Sequence, residues 1–431
     1  MRQTDSGKPS VFLGPLEISG YYGNLERGLR EIGVAARLVT LHPNPYGFEQ
    51  AERNPLPARL AVHAVLIHRR APTPLRIFTG GLYLIACLLV LAWSLPRFDS
   101  YIFAWGESLL PRNLDLPVLR LFCKKITVVL GHGSEARPPY MSTPLEQSPP
   151  FSDRAFASLN AETRAVCKKV RRIECWAHTV IGLPTTGQFF RQPFINFYSL
   201  GLPTPAPAAA QESGIIQKET GRVRVLHVPS KPLVKGSLLI RQCMEVLTSK
   251  YPFIDYVELT DRPHAEILEA IERATFVVDQ VWSDIPMAVV GTEAASLGKA
   301  TIIGGYSWRV WQEVLAAEDW PPTVLTTPEC LLETIESCIL DPASMVEIGA
   351  RARAFVETRW SCSTVAANYM RLLRGETPRA WLVDPSGIDY GYGCGVSRSN
   401  VNDMVLGLVE RYGFGSLRWS KAQKVYDFNT T

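Results

Sequence analysis

The sequence predicts an α/β protein with two domains, each built on a parallel sheet. Short apolar runs alternate with helical patterns along most of the chain, which is typical of strands joined by right-handed helical crossovers. The chain of 431 residues is long enough for two or three domains. Because a segment rich in Pro and Ala separates two such sets of strands, we predict the domain boundary at residues 203–222.

The composition indicates a folded protein and excludes several classes of function. Hydrophobic residues make up 46% of the chain and charged residues 20%, which is enough apolar material for a sizeable core. The formal net charge of +4 is too small to indicate nucleic-acid binding. The nine cysteines have no C-x-x-C spacing, which favours reduced thiols in the cytoplasm and no zinc site. The first ten residues are polar, so we expect no secretory signal.

The N-terminal domain opens with a strand, a glycine-containing loop and a helix. Residues 11–14 are the predicted strand, and the helix carries its apolar residues at Leu25, Leu29 and Ile32. Such a unit can present backbone N–H groups and a helix N-terminus to an anion. Gly20 and Gly23 are therefore candidate binding residues, while a purely turn-forming role for them stays open.

A second candidate site follows a later strand of the same domain. Residues 100–104 and 126–130 read as strands with a short helix between them, and His132 follows the second strand between Gly131 and Gly133. Glycines on both sides would let a ligand approach the backbone closely. We therefore take His132 as a candidate functional residue, and a structural histidine is the alternative.

One long apolar segment, residues 77–95, has no charged residue over 19 positions and meets the length threshold for a membrane span. Glycines and a serine interrupt it, Pro96 ends it, and the strands on either side read as parts of one sheet. We therefore predict a helix that does not cross a bilayer. Either it is buried between the sheet and its neighbour, or it docks on a membrane surface with the help of upstream basic residues. These residues are Arg59, His68, Arg69, Arg70 and Arg76.

The C-terminal domain carries two motifs at the predicted carboxyl edge of its sheet. The strand at residues 223–228 leads into a loop that ends in Lys235-Gly236, and the strand at residues 274–280 precedes a helix with Glu293. Ligands of parallel sheets bind at this edge. Lys235 is the best candidate phosphate partner, with Lys231 second, although surface lysines without a ligand are common.

The two motifs resemble the C-terminal domain of retaining GT-B glycosyltransferases, especially family 4. HVPSKPLVKGS looks like that family's Lys-Gly loop, and TEAASLGKATIIGG looks like its Glu-Ala-x-Ala-x-Gly-Lys-Pro segment. The resemblance implies two Rossmann-like domains facing each other across a cleft. It also implies a nucleoside-diphosphate sugar as donor, with the diphosphate on Lys235, the ribose on Glu293 and the donor sugar near His132. Ser230 and Thr292, as neighbours in these loops, are further candidates.

The chain departs from the family where a second Glu usually grips the transferred sugar. That position, eight residues before Glu293, is Ile285. Asp284 lies next to it, and Asp279-Gln280 end the preceding predicted strand, so these residues are candidate substitutes. Glu293 could also be no more than a favourable acid in the first turn of its helix.

The expected function is retaining glycosyl transfer to a glycan, lipid-linked or small-molecule acceptor, as in polysaccharide biosynthesis. No Asp-x-Asp motif occurs, so we expect no metal and no cofactor besides the donor substrate, with the leaving diphosphate stabilised by charge. We expect a cytoplasmic protein in peripheral contact with the inner face of a membrane, and no nucleic-acid partner. A non-catalytic sugar-nucleotide-binding subunit or scaffold, or a sugar-nucleotide epimerase of the same fold, is the alternative.

The predicted organisation has four parts. Residues 1–202 form the acceptor-side domain, residues 203–222 the linker, and residues 223–377 the domain that binds the nucleotide sugar. Residues 378–431 form a Gly- and aromatic-rich tail, which we expect to pack back on the N-terminal domain.

Overall fold

A computed structural model describes residues 9–43, 54–142, 152–206, 221–283, 285–393 and 395–426. Within them lie twelve strands: β1 (Ser10–Gly14), β2 (Ala35–Leu38), β3 (Ser100–Phe103), β4 (Lys125–Leu130), β5 (Thr179–Gly182), β6 (Phe194–Asn196), β7 (Val223–His227), β8 (Ile254–Glu258), β9 (Phe276–Ser283), β10 (Ala300–Gly305), β11 (Val324–Thr326) and β12 (Leu382–Val383).

The same residues form sixteen α-helices, several of them only one turn long: α1 (Tyr21–Glu31), α2 (Leu56–Arg70), α3 (Arg76–Ser94), α4 (Asp115–Leu121), α5 (Asp153–Trp176), α6 (Phe197–Leu200), α7 (Pro232–Lys235), α8 (Ser237–Lys250), α9 (His264–Arg273), α10 (Val289–Ser296), α11 (Trp308–Val314), α12 (Leu331–Leu340), α13 (Pro342–Arg359), α14 (Cys362–Arg374), α15 (Arg398–Tyr412) and α16 (Ala422–Val425).

These elements belong to two compact units, each built from separate stretches of the chain. The N-terminal unit comprises Met1–Ala136, Val166–Pro203 and Cys362–Ser386, and the C-terminal unit comprises the rest. Each unit contains one sheet with helical crossovers. The predicted α/β class, with a Rossmann-like sheet in each of two domains, is therefore confirmed for each unit taken by itself.

The sheet of the N-terminal unit has the strand order β12-β6-β5-β4-β3-β1-β2. All its pairs are parallel except β12, which runs antiparallel to β6 at the edge. The central strands are buried on both faces and therefore read as nearly continuous apolar runs. On one face the rings of Phe12, Tyr101 and Phe103 pack together with centroid separations of 5.3 to 6.2 Å.

The sheet of the C-terminal unit has the order β11-β10-β9-β7-β8 and is parallel throughout. Alternate residues of its central strands point to opposite faces, so Val225 and Val278 belong to one buried cluster and Leu226 and Val277 to another. The helices thus cover both faces, and the carboxyl ends of the strands are left to the connecting loops.

The division of the chain differs from the predicted boundaries in three stretches. Cys362–Ser386, predicted to belong to the C-terminal domain and the tail, lies in the N-terminal unit. There α14 packs so closely on α1 that a Cβ atom at Gly28 would lie 1.9 Å from the carbonyl oxygen of Cys362. Residues 207–220 of the predicted linker lie outside the described residues.

The other two stretches, Arg137–Ala165 and Gly387–Thr431, belong to the C-terminal unit. They pack on each other, since the hydroxyl of Tyr140 donates to the carbonyl oxygen of Leu417 at 3.0 Å and Gly407 lies against the ring of Phe156. The predicted tail is thus divided: residues 378–386 belong to the N-terminal unit, and Gly387–Thr431, which we expected on the N-terminal domain, belong to the C-terminal unit.

The predicted apolar helix is present as α3, within one residue of its predicted bounds. It is the one helix of the described residues that is long and apolar enough to cross a membrane, with a mean hydropathy of 2.1 over its most apolar window. Only 28% of that window is buried. The alternative in which the helix is buried between the sheet and its neighbour is therefore wrong.

Candidate functional site

The Lys-Gly loop holds its lysine against a buried carboxylate. Lys235 ends α7, and Gly236, with φ of 75°, turns the chain into α8. The Nζ atom of Lys235 donates to Oδ1 of Asp279 at 2.5 Å. The other oxygen of Asp279, Oδ2, is buried and has no hydrogen-bond partner among the described residues. The ammonium is thus fixed at the carboxyl edge of the sheet, beside one acceptor that is not yet used.

Asp279 occupies an irregular position of β9. The register of β9 against β10 pairs Val278 with Ile302 and Gln280 with Ile303, so Asp279 has no partner residue and forms a bulge. Bulges redirect a side chain and recur beside active sites. The strand continues to Ser283, three residues beyond the predicted strand end at Gln280.

A buried histidine lies next to this pair. In His227, at the end of β7, Nδ1 lies 2.7 Å from the carbonyl oxygen of Val278, and Nε2 lies 2.8 Å from Oγ of Ser237. Because a carbonyl oxygen only accepts, Nδ1 carries the proton and Nε2 accepts from the serine hydroxyl. Burial lowers the pKa of His227, although the hydrogen bond to Val278 has the opposite effect. The lowered pKa keeps the ring neutral. His227 therefore ties β7 and β9 to the start of α8.

Glu293 has a histidine partner that the sequence analysis missed. It is the fifth residue of α10 rather than part of the first turn, so the helix-terminus explanation for this acid is wrong. Its Oε1 atom lies 2.8 Å from Nε2 of His264, the first residue of α9. The hydrogen bond to Glu293 raises the pKa of His264, although partial burial opposes this. The location of His264 just after β8, at the carboxyl edge, is the signal that could have identified it.

The remaining candidates of this unit that the structure describes lie near these residues in the sequence and have no hydrogen bond to one another. Ser230 and Lys231 are exposed in the turn before α7. The amide of Gln280 donates to the hydroxyl of Ser283, and the hydroxyl of Thr292 donates to a carbonyl of its own helix. These last two side chains therefore have structural partners already.

Because Ile285 stands where the family has a second Glu, one expected hydrogen-bond acceptor is missing. Ile285 is apolar and interacts through its backbone, since its N–H and carbonyl both hydrogen-bond the hydroxyl of Ser283. Asp284 lies outside the described residues. Within the part of the chain that the structure describes, Asp279 is thus the predicted substitute whose surroundings are known.

In the N-terminal unit the helix N-terminus predicted to bind an anion is occupied by the chain itself. The structure begins α1 at Tyr21, directly after Gly20 in the left-handed conformation. The carboxylate of Glu17 accepts from the N–H groups of Tyr22 at 3.3 Å and Gly23 at 2.7 Å. An anionic ligand at Gly20 and Gly23 would have to displace this side chain.

His132 lies in an aromatic cluster just after β4. Its Nε2 atom is 2.8 Å from the hydroxyl of Tyr22, and its ring packs edge-on against Tyr21 and Phe197 at 5.0 Å. Burial lowers the pKa of His132 to about 3, so the ring is neutral near pH 7. The flanking Gly131 has a packing reason, because a Cβ atom there would lie 2.8 Å from the ring of Phe197.

No group of three or more His, Cys, Asp or Glu side chains suited to a metal ion occurs in the described residues. Among the predicted site residues that the structure describes at the carboxyl edge of the C-terminal unit, the charged ones are Lys231, Lys235, Asp279 and Glu293. A reaction at this edge that uses only these groups would stabilise an anion through the side chains of Lys231 and Lys235.

No protein-family model and no curated protein matches the sequence. Solved structures with a similar course of the chain include HepE from Anabaena in complex with UDP, at 11% identity and a TM-score of 0.48, over 85% of this chain and 100% of that one. The glycosyltransferase SnogD from Streptomyces nogalater is 13% identical, with a TM-score of 0.41 over 85% of this chain and 99% of that one. MnaA from S. aureus, a co-structure with UDP, is 10% identical, with a TM-score of 0.43 over 86% and 98%. At these values the likenesses assign no activity to this chain.

Proposed function

We propose that the protein is a glycosyltransferase of the GT-B type that transfers a sugar from a nucleoside-diphosphate sugar. The observation that carries the proposal is the Lys235–Asp279 pair at a bulge on the carboxyl edge of a parallel sheet. Both Lys235 and Glu293 follow strands that end at this edge. The proposal also rests on the resemblance of these two loops to retaining family 4 enzymes.

In this proposal the C-terminal unit binds the nucleotide. The ammonium of Lys235 stabilises the charge that develops on the leaving diphosphate, assisted by Lys231, and Glu293 accepts hydrogen bonds from the ribose hydroxyls. Asp279, through its unused Oδ2, accepts from a hydroxyl of the donor and takes over part of the role of the missing glutamate. Ser230 lies in the loop next to Lys231, and Thr292 lies next to Glu293 on α10.

The proposed role of His132 is contact with the donor sugar. A neutral imidazole can donate or accept one hydrogen bond without adding a charge, which suits a sugar hydroxyl. We further propose that transfer is retaining, that it needs no metal, and that the acceptor is a glycan, a lipid-linked glycan or a small molecule. A cytoplasmic enzyme of polysaccharide synthesis in peripheral contact with a membrane would fit these features.

A second function has one specific observation in its favour. Ile285 replaces the glutamate expected to grip the sugar, and Asp279 is already bound to Lys235. A subunit that binds a sugar nucleotide without transferring the sugar would tolerate both features. The same loops in a sugar-nucleotide epimerase are a further alternative within the fold.

The test is turnover with a panel of nucleoside-diphosphate sugars, measured as release of the nucleoside diphosphate with and without acceptors. We expect turnover of at least one donor, and at least a tenfold loss in Lys235→Ala and in Glu293→Ala, because a lost hydrogen bond to a charged group costs about 1.5–3 kcal/mol. His132→Ala should lower turnover far more than it lowers nucleotide affinity, since contacts to the reacting sugar act mainly in the transition state. Nucleotide binding without turnover of any donor would favour the non-catalytic subunit, and wild-type turnover in His132→Ala would make this residue structural.

A further inference from the structure

A helical hairpin, formed by α2, the turn at residues 71–75 and α3, presents an apolar outer surface. Eleven large apolar side chains of this hairpin are exposed, and Ile77 and Phe78 at the start of α3 have exposed fractions of 89% and 67%. The others are Leu56, Leu60, Ile67, Leu75, Leu82, Leu84, Ile85, Leu88 and Leu89. Soluble monomers rarely expose a contiguous apolar surface of this kind without a partner for it.

On α3 the exposed apolar residues lie on one face of the helix, and the opposite face packs on the protein. The buried residues of the helix follow one stripe, and they include Ala86, Val90 and Ser94. The outward stripe carries leucine, isoleucine and phenylalanine where an ordinary surface helix has polar residues. Helix α3 therefore carries more apolar side chains than its packing on the protein buries.

The hairpin is held firmly at one end and projects at the other. The hydroxyl of Tyr101 on β3 donates to that of Ser94 at 3.1 Å, which anchors the end of α3 to the sheet. Nδ1 of His68 lies 3.0 Å from the hydroxyl of Thr79, which ties α2 to α3 near the turn. The buried residues of α3 lie mostly in its second half, so the turn and the start of α3 form the exposed tip.

The charge around the tip has a single sign. Between Asn54 and Phe98 the sequence contains no Asp or Glu, whereas the whole chain has 45 Lys and Arg against 41 Asp and Glu. Exposed arginines lie just before the tip, at Arg69 and Arg70, and within it, at Arg76. A cationic rim around an apolar tip is complementary to an anionic lipid surface, in which headgroups meet the arginines and acyl chains meet the apolar residues.

We propose that this hairpin docks the protein on an anionic bilayer, with Leu75, Ile77 and Phe78 inserted at the boundary between headgroups and acyl chains. The inference concerns a surface of the N-terminal unit and does not depend on the proposed enzymatic activity. A single crossing of the bilayer by α3 conflicts with the fold. The strands before and after the hairpin, β2 and β3, both pair with β1 in one sheet, so both ends of the segment stay on one side of the membrane.

The experiment is co-sedimentation of the full chain with vesicles of neutral phosphatidylcholine or of a phosphatidylcholine and phosphatidylglycerol mixture, at low and high salt. We expect binding to the anionic vesicles, at least a tenfold weaker partition for the double variant Ile77→Ser with Phe78→Ser, and a similar loss for the triple variant Arg69→Gln, Arg70→Gln and Arg76→Gln. High salt should weaken binding of the wild type and leave the triple variant little changed, because salt screens exposed charges.

The matched control is Leu121→Ser with Phe122→Ser, which removes another exposed apolar pair from the same unit, with exposed fractions of 80% and 56%, at the end of α4. It should bind vesicles as the wild type does, and circular dichroism should show all variants folded. Wild-type protein that stays in the supernatant would overturn the proposal, and so would unchanged binding of the Ile77/Phe78 variant. A concentration-dependent dimer that this variant abolishes, without vesicle binding, would instead make the hairpin an interface between two copies of the chain. If only detergent extracts the protein from the vesicles, and the two ends of α3 are labelled from opposite faces, α3 spans the bilayer instead of docking on it.

Discussion

At the scale of single residues, the proposed nucleotide ligands already have partners within the chain. Lys235 is bound to Asp279, and Glu293 is bound to His264. A diphosphate would compete with Asp279 for the ammonium, and a ribose hydroxyl would compete with His264 for the carboxylate. Binding would therefore exchange one set of charged hydrogen bonds for another, and its net free energy would be smaller than the new contacts suggest.

The Glu293–His264 contact gives a prediction about pH. The hydrogen bond raises the pKa of His264 above its ordinary value of 6.5, so Glu293→Gln should lower it. A raised pKa in the folded state stabilises the fold below the unfolded pKa, and the contribution is lost as the pH rises through the folded pKa. Wild type and Glu293→Gln should thus differ more in free energy of unfolding at about pH 5.5 than at about pH 8.5.

The measurements are an NMR titration of the His264 ring, assigned with His264→Gln, and denaturant unfolding of both proteins at the two pH values. An unchanged His264 pKa in Glu293→Gln would contradict the contact. A difference in free energy of unfolding between the two proteins that increases with pH would also contradict it, because the contact stabilises the fold at low pH.

Sequence reasoning at this scale found the residues but not their partners. Lys235, Glu293 and His132 stand in recognisable positions next to glycines and strand ends. His264 contacts Glu293 from a position 29 residues away in the sequence, and Tyr22 contacts His132 from a position 110 residues away. Such contacts depend on how distant segments meet, which the periodicity of a single sequence does not contain.

At the scale of elements, the Lys-Gly loop depends on a glycine that no other residue replaces freely. Gly236 has φ of 75°, and a Cβ atom there would lie 2.7 Å from the Cβ atom of Val281 on β9. This packing brings α7 and α8 against the bulged strand that carries Asp279. The geometry of the proposed phosphate site therefore depends on the close approach of the backbone at Gly236 to β9.

We expect Gly236→Ala to lower the free energy of unfolding by about 2–4 kcal/mol, from the left-handed backbone and the clash together. The matched control is Gly298→Ala, because Gly298 has a similar φ of 70° but its nearest neighbour, Cδ of Arg353, would be 3.9 Å away. That variant should lose only about 1–2 kcal/mol, the backbone cost alone. Denaturant unfolding measures both, and equal losses would show that the close packing at Gly236 contributes nothing.

Local patterns predicted the elements of this region well, within a few residues. The structure has β7 at Val223–His227 and α8 at Ser237–Lys250, against predicted ranges of 223–228 and 237–249. The continuation of β9 to Ser283 was missed. Its register shifts arise from pairing with β10, and a pairing partner is not visible in the pattern of one strand.

At the scale of the whole molecule, the chain passes between its two units more than once. The sequence suggested a single boundary, because Pro and Ala mark the segment after residue 202. It gave no sign that α14 and β12 return to the N-terminal unit or that α15 packs on Phe156 in the C-terminal unit. The short, glycine-rich tail has little periodicity, so its place is decided by tertiary packing alone.

In the proposed function, the C-terminal unit binds a nucleoside diphosphate through Lys235 and Glu293. The most direct test is calorimetric titration of UDP into the wild type, Lys235→Ala, Glu293→Ala and, as a matched control, Lys168→Ala at an exposed position of α5. We expect measurable binding to the wild type and to Lys168→Ala, and at least tenfold weaker binding to the other two variants, which corresponds to about 1.4 kcal/mol or more. Unchanged UDP affinity in folded Lys235→Ala and Glu293→Ala would contradict the proposed binding by these two residues.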